Sequence, residues 1–313
     1  MTLQTSGTIT IAEINSEFSL GNNLNAYRGT QWYKDDGSSG TFPTGAISMS
    51  DFYGKRKTAP YFVLTISSNQ TNVDLRTLAL SAGWNGSAQI IATINSGIYI
   101  SSNSTSTPAL TISGSFPGGL SLTNNGYIVG MGGAGGAGAT GTFYTGYLAN
   151  GSPGANGGTG LSVSTGVTIA NNGTIAGGGG GGGGGGSGYM SSTGWVGGGG
   201  GGGGRSSAAA NSSGGASGGG SDNGANGSYF ASAGGSGTSG SAGSGGARGL
   251  IIDSYLGYHY SGAGGNGGDW GAAGSSGANG DRTGGSGGAA GAAVSGNGYI
   301  TWSATGTRLG SIG

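Results

Sequence analysis

Cysteine is absent from the 313 residues, so neither a disulfide framework nor a thiolate metal cluster is available. Histidine occurs once, at His259, which leaves no His-rich metal site and no basis for a His-centred catalytic triad. Charge is scarce: ten Lys and Arg balance ten Asp and Glu, and only 6% of residues are charged. Zero net charge removes the basic footprint of a nucleic-acid binder. No apolar stretch approaches the ~18–20 residues that a membrane span needs. The opening MTLQTSGTIT lacks the charged start and apolar core of a secretory signal. The expectation is a soluble, near-neutral protein that uses no cofactor or metal, binds no nucleic acid, does not insert into a membrane and is not an enzyme.

What the chain has instead is glycine, 84 residues of it, unevenly spread. Residues 1–130 hold 15 glycines and residues 131–313 the other 69. Charge runs the opposite way, with both glutamates and all lysines within the first 57 residues. Composition therefore draws three zones, 1–57, 58–130 and 131–313. In the first, Ile9 and Ile11 alternate with polar residues as in a half-buried strand. Ile11, Ile14 and Phe18 then follow helical spacing, with Glu13 and Glu17 on another face. Ser48 and Asp51 are placed to cap a second short helix carrying Phe52 and Tyr53. So small a module without a disulfide is marginal alone. It is expected to pack on a partner or on its own copies, with an autonomous domain as the alternative.

The second zone reads as strands. PYFVLTISS, AQIIATINSGIYISS, ALTIS and GLSLTNNGYIVG are β-branched and aromatic runs bounded by Asn, Ser, Gly and Pro. The unit TNNGYIVG at 123–130 returns as ANNGTIAG at 170–177, each time after alternating apolar residues, and a shorter echo, GNGYI, ends at Ile300. These read as rungs of one β structure, solenoid- or sandwich-like, to which the chain returns between glycine tracts.

In the third zone, Gly and Ser at this density would ordinarily mean a flexible linker. A period argues otherwise. Glycines recur every third residue from Gly234 to Gly249 and from Gly262 to Gly280. That spacing suits a left-handed helix with three residues per turn and one bare edge. Collagen has this geometry but needs abundant proline, and these tracts hold only Pro153. The expected structure is a bundle of polyglycine-II helices held by backbone N–H···O=C bonds and weak Cα–H···O contacts. Between the tracts stand 142–150, 189–196, 205–213, 228–233 and 250–260, four of them aromatic. Rigid aromatics flanked by Ser, Gly and Asn have the composition of a binding surface, with hydrophobic plugs at the bundle ends as the alternative. The plug reading fits 250–260 best, because Leu250, Ile251 and Ile252 look buried.

Several motifs carry nothing. Gly177–Gly186 satisfies a G-x-G-x-x-G pattern trivially, and no Gly-Lys-Ser/Thr follows. His259 has no serine elbow beside it. Asp222, Asp253, Asp269 and Asp281 are too few and unpatterned to indicate a paired-carboxylate glycosidase.

These residues carry a resemblance. SGTITIAEINSEFSLGN through GAISMSDFYGK resembles an N-terminal module of tailed-bacteriophage virion proteins. The TISSN, TINSG and NNGYIVGMGGAGGAGA series is similar to phage glycine-rich tail proteins. The long tract with aromatic interruptions resembles the tail-fibre tip adhesins of T-even-like phages. That resemblance implies sandwiched polyglycine helices with variable loops that bind the host surface, although the attachment domain typical of those adhesins is not visible.

The expectation is thus a mostly β or irregular protein: a small α+β virion-attachment module at 1–57, a β-rich connector at 58–130 and a polyglycine tip at 131–313. Its function would be receptor binding on a phage tail, against a host protein or glycan, with other tail proteins held through 1–57 and a homo-oligomer allowed. It would belong to the virion and assemble in the host cytoplasm. The alternatives are a structural spacer and a depolymerase. If successive glycine runs alternate in direction, 142–150, 189–196 and 228–233 share one end. That end would gather Phe143, Tyr144, Tyr147, Tyr189, Met190, Trp195, Tyr229 and Phe230 as the receptor-binding surface. Segments 161–176, 205–213 and 250–260 would lie at the other end, toward the virion.

Overall fold

The computed structural model describes residues 2–142, 147–190, 194–218, 221–222, 229–253 and 257–313. Two compact units divide the chain. The first comprises Met1–Leu64, Leu80–Ala92 and Phe116–Leu120; the second comprises Thr65–Ala79, Thr93–Ser115 and Ser121–Gly313. Among the described residues no helix is long and apolar enough to cross a membrane.

In the first unit a helix spans Ile11–Phe18, and its start is fixed by a reciprocal cap. The Thr10 N–H donates to the Glu13 carboxylate at 2.7 Å, while the Glu13 N–H donates to the Thr10 hydroxyl at 3.3 Å. The helix ends at Ser19 in the left-handed region. A second reciprocal cap, Ser48 with Asp51, opens the 3-10 turn Met49–Phe52. The alternation of Ile9 and Ile11 does not make a strand, because Thr10 between them is the helix cap. Ile14 and Phe18 face a core with Tyr27, Phe42 and Phe52, whose rings meet mostly edge to face at 5.3–6.1 Å. The Lys55 ammonium lies 4.1 Å from the Trp32 ring.

From residue 61 onward the chain is wound. Successive passes of the chain lay strands into three parallel sheets. One sheet orders Gln70–Thr71, Tyr99–Ser101, Tyr127–Val129, Thr174–Ala176 and Thr307–Leu309. Another orders Val73–Asp74, Leu110–Ile112, Leu161–Val163 and Val294–Ser295. The third carries Tyr61–Ile66, Gln89–Ile94, Leu120–Asn124, Val167–Asn171 and Ile300–Ala304. Like residues stack from pass to pass: Ile128 lies between Ile100 and Ile175, and Leu161 beside Leu110. All five are fully buried. The helix Leu75–Ser81, unmarked in the sequence reading, interrupts the first pass.

The repeated unit is a corner of this winding. Thr123 pairs with Ala170, Asn124 with Asn171 and Tyr127 with Thr174, so TNNGYIVG and ANNGTIAG lie one upon the other. Both Asn side chains are buried and satisfied. Asn124 Nδ2 donates to Asn171 Oδ1 at 2.8 Å, and Asn171 Nδ2 donates to the Thr305 carbonyl at 2.8 Å. The third echo is not a corner. Asn297–Tyr299 forms a 3-10 turn ahead of the strand, since Ile300 pairs with Val167, and Thr305 and Gly306 make the last corner.

Glycine-rich segments leave these passes twice, between Val129 and Leu161 and between Ala176 and Val294. The first departure follows Val129, where the composition changes, and the passes resume at Leu161. Run 177–186 explains the composition. Gly178, Gly181 and Gly184 donate to 152–158; Gly179, Gly182 and Gly185 donate to 199–205; Gly180, Gly183 and Gly186 donate to 272–278; all nine bonds measure 2.7–3.0 Å. The carbonyls of the same run accept from three further segments, 133–139, 262–268 and 285–291. Run 198–204 is surrounded in the same way by 133–139, 262–265, 232–235, 179–185, 215–218 and 243–246. A segment enclosed on six sides has no side free for a Cβ. An added Cβ at Gly181 would overlap the Ala134 carbonyl, and one at Gly201 the Gly182 carbonyl. None of these glycines has a positive φ, so they are required for space rather than for backbone freedom. In the outer run 272–280, Gly274, Gly277 and Gly280 are half-buried and the pairs of residues between them exposed.

Candidate functional site

The glycine segments have two ends. At the end beside the sheets, the chain reverses through 205–213, through 238–241, where the Thr238 N–H donates to the Ser241 carbonyl at 2.8 Å, and through 269–272. Side chains occupy this end. Tyr99 and Tyr127 stack at 4.4 Å, and Trp270 lies 6.4 Å from Tyr127. Trp270 Nε1 donates to the Ser206 carbonyl at 2.8 Å, and the Arg205 guanidinium sits 3.7 Å from the Trp270 ring centroid. Arg205 also pairs with Asp269 at 2.8 Å. Partial burial works to raise the Asp269 pKa, but the hydrogen bond and charge of Arg205 and the Trp270 N–H outweigh it and hold the carboxyl below its ordinary value.

At the far end the connections are β-hairpins. Gly141–Thr142 pairs with Tyr147–Leu148; Gly188–Met190 pairs with Gly194–Val196, which Ser221–Asp222 extends; Leu250–Asp253 pairs with Gly257–Tyr260. Tyr229 bridges Leu250, and Val196 and Ile251 share a small buried cluster. The Tyr189 N–H donates to Asp281 at 2.7 Å, which brings the 280–283 turn to the same end.

The structure thus brings together Tyr189, Trp195, Tyr229 and Phe230, as the sequence reading grouped them. Phe143 and Tyr144 lie outside the described residues, and Tyr147 and Met190 are placed by their backbone alone. Tyr229 and Phe230 are 66% and 61% exposed, whereas Trp195 is buried and its indole N–H has no acceptor among the described residues. One assignment is corrected. Segment 250–260 lies with these hairpins and not at the opposite end. The glycine run 234–249 holds a reversal at Thr238–Ser241, and Gly234, Gly237, Gly240 and Gly243 keep their spacing of three straight through it. Periodicity hides the turn, and the count of ends slips by one. The residues missed for this reason are Tyr258, 65% exposed, Tyr260 and Arg248. The signal was TSGS at 238–241, four turn-forming residues in a row.

Backbone-packed segments closed by side chains at one end and opening into hairpins with exposed rings at the other define a presenting protein, an adhesin. The chain belongs to the phage tail fibre adhesin Gp38 family, whose model matches residues 61–313. It is accordingly a receptor-binding component of a bacteriophage tail fibre. It is also similar to a crystal structure of the gp37-gp38 adhesin tip complex of the bacteriophage S16 long tail fiber. The identity is 24%, with 86% of this chain and 87% of that chain covered and a TM-score of 0.49. No curated protein matches.

Proposed function

We propose that the hairpin end is the face that meets the host, and that it is carried on a bundle of polyglycine-II helices rooted in a parallel β-solenoid. The observation that supports this most is the asymmetry between the two ends. Trp270, Arg205 and Ser206 close one against the sheets, while Tyr229, Phe230 and Tyr258 stand exposed at the other. Residues 143, 144, 147, 189, 190 and 195 belong to the same surface in this reading. Residues 1–57 attach the chain to other tail proteins, 58–130 form the connector and 131–313 the tip. The chain binds without making or breaking bonds, needs no cofactor, and joins the virion during assembly in the host cytoplasm. The test is adsorption of phage carrying Tyr229→Ala with Phe230→Ala, against phage carrying Tyr299→Ala, an exposed ring beside the sheets. The first variant should adsorb at least about 30-fold more slowly, as loss of a central aromatic hot spot implies. Loss of adsorption in the second alone would reverse the assignment. Failure of the purified chain to bind host cells at all would leave it a spacer.

A further inference from the structure

The hairpin Leu250–Asp253 with Gly257–Tyr260 has two unlike faces. Ile251 is buried and pairs with His259, so that pair turns inward. On a sheet, directly opposed residues and residues two apart share a face. Leu250 opposes Tyr260, Ile252 opposes Tyr258, and Tyr229 bridges Leu250 from the other side. Tyr229, Leu250, Ile252, Tyr258 and Tyr260 therefore form one outward face across three chain segments. Arg248 completes it. Its guanidinium lies 3.9 Å from the Tyr260 ring centroid, its side chain is exposed, and among the described residues it has no ion pair.

A guanidinium stacked on a ring is held in plane, with its N–H edge free for a planar acceptor. Among the described residues it is the one charge on this face. At the same end of the glycine segments, the Asp281 carboxylate accepts the Tyr189 N–H. We propose that Arg248 is a specificity-determining residue of the receptor site, pairing with an Asp or Glu carboxylate on an exposed segment of a host surface protein whose apolar side chains cover Tyr229, Tyr258 and Tyr260. The inference rests on the hairpin end being the receptor-binding face. A protein is favoured over a saccharide by the chemistry of the face. Sugar hydroxyls are best held by carboxylate or amide side chains, and none of these six residues carries one; their only side-chain acceptors are the three tyrosine hydroxyls. Tyrosine with arginine, in contrast, is the composition of protein–protein hot spots.

The test is the adsorption rate of phage with the full chain carrying R248Q, R248K or R248E, on the plating host. R248Q should adsorb about 30-fold more slowly than wild type, R248E more slowly still, and R248K between R248Q and wild type, because an ammonium lacks the fork. Purified R248Q should melt with wild type, since the side chain is exposed, and R248K keeps the stem and charge if it does not. Cells shaved with protease should lose the difference between wild type and R248Q. If R248Q adsorbs like wild type while Tyr229→Ala with Phe230→Ala does not, Arg248 has no such part and the receptor face stands. If neither change slows adsorption, the receptor face itself is wrong. If shaved cells still discriminate against R248Q, the anion is on a glycan and the protein carboxylate is overturned.

Discussion

In the stacked sheets, Ile128 fills the space between Ile100 and Ile175, and each pass of the chain is located by the side chains above and below it. In the glycine segments, Gly181 fills the space between the carbonyls of Ala134 and Ala155, with no side chain between the backbones. Both regions satisfy their peptide groups, so hydrogen bonding does not distinguish them. They differ in what excludes water: apolar side chains in one, direct contact of backbones in the other. A side-chain core tolerates a lost methyl group at some cost, whereas a backbone core tolerates no added one.

The sharpest break of this comparison is Gly181→Val. The branched side chain would overlap the Ala134 carbonyl, and the run is enclosed on all sides, so a cost of about 4 kcal/mol or more is expected. Hydrogen exchange should show protection lost across the glycine segments while the sheets keep theirs. Ser276→Val, at an exposed position of an outer run, should leave exchange unchanged. Equal effects of the two would mean that the inner runs are not packed backbone to backbone. Next in size is Ile128→Ala, expected to cost about 2–5 kcal/mol in denaturant unfolding, the range for truncating a buried aliphatic residue.

Asn171→Ala tests the polar corner between these extremes. It removes one of the two acceptors of the Asn124 amide, which keeps the Thr174 carbonyl, and takes the donor from the Thr305 and Thr307 carbonyls, for a cost of about 1–3 kcal/mol. Asn171→Asp keeps the acceptor, and an outcome no better than alanine would mean that the donor to Thr305 matters more.

The smallest effect is one of pH at the Trp270 end. The folded pKa of Asp269 is lowered, so its contribution is fully present above the unfolded value near 4 and is lost as pH falls through the folded value. Melting temperatures of wild type and Asp269→Asn should differ at pH 6 and converge toward pH 2. The difference will be small, because the carboxylate is 67% exposed. A gap that persists at pH 2 would assign the effect to packing instead of charge.

Much of this architecture is legible in the residues. Alternating runs mark the strands, and TNNGYIVG with ANNGTIAG marks one corner twice, because parallel stacking places the same demand on the same position of each pass. The unbroken runs 177–186 and 197–204 mark the two segments enclosed by others, since only full enclosure forbids a side chain at every residue. What was hidden lies where local chemistry has no unique outcome. Thr10 between two isoleucines reads equally as a strand residue and as a helix cap. Thr238–Ser241 turns the chain without disturbing the glycine spacing, and so moved segment 250–260, with Tyr258 and Tyr260, to the wrong end.

The same absence of side chains leaves Gly177–Gly186 without landmarks. Each triplet repeats the one before, so displacing the run by three residues, roughly 9 Å along its axis, would restore every hydrogen bond except those at its ends. Only the ends break this degeneracy: Ala176, stacked in a sheet, and Tyr189, tied to Asp281. The run behaves as a ratchet with teeth three residues apart and a stop at either end. Insertions of three glycines there should be absorbed by lengthening the protrusion, whereas one or two would rotate every following donor away from its acceptor.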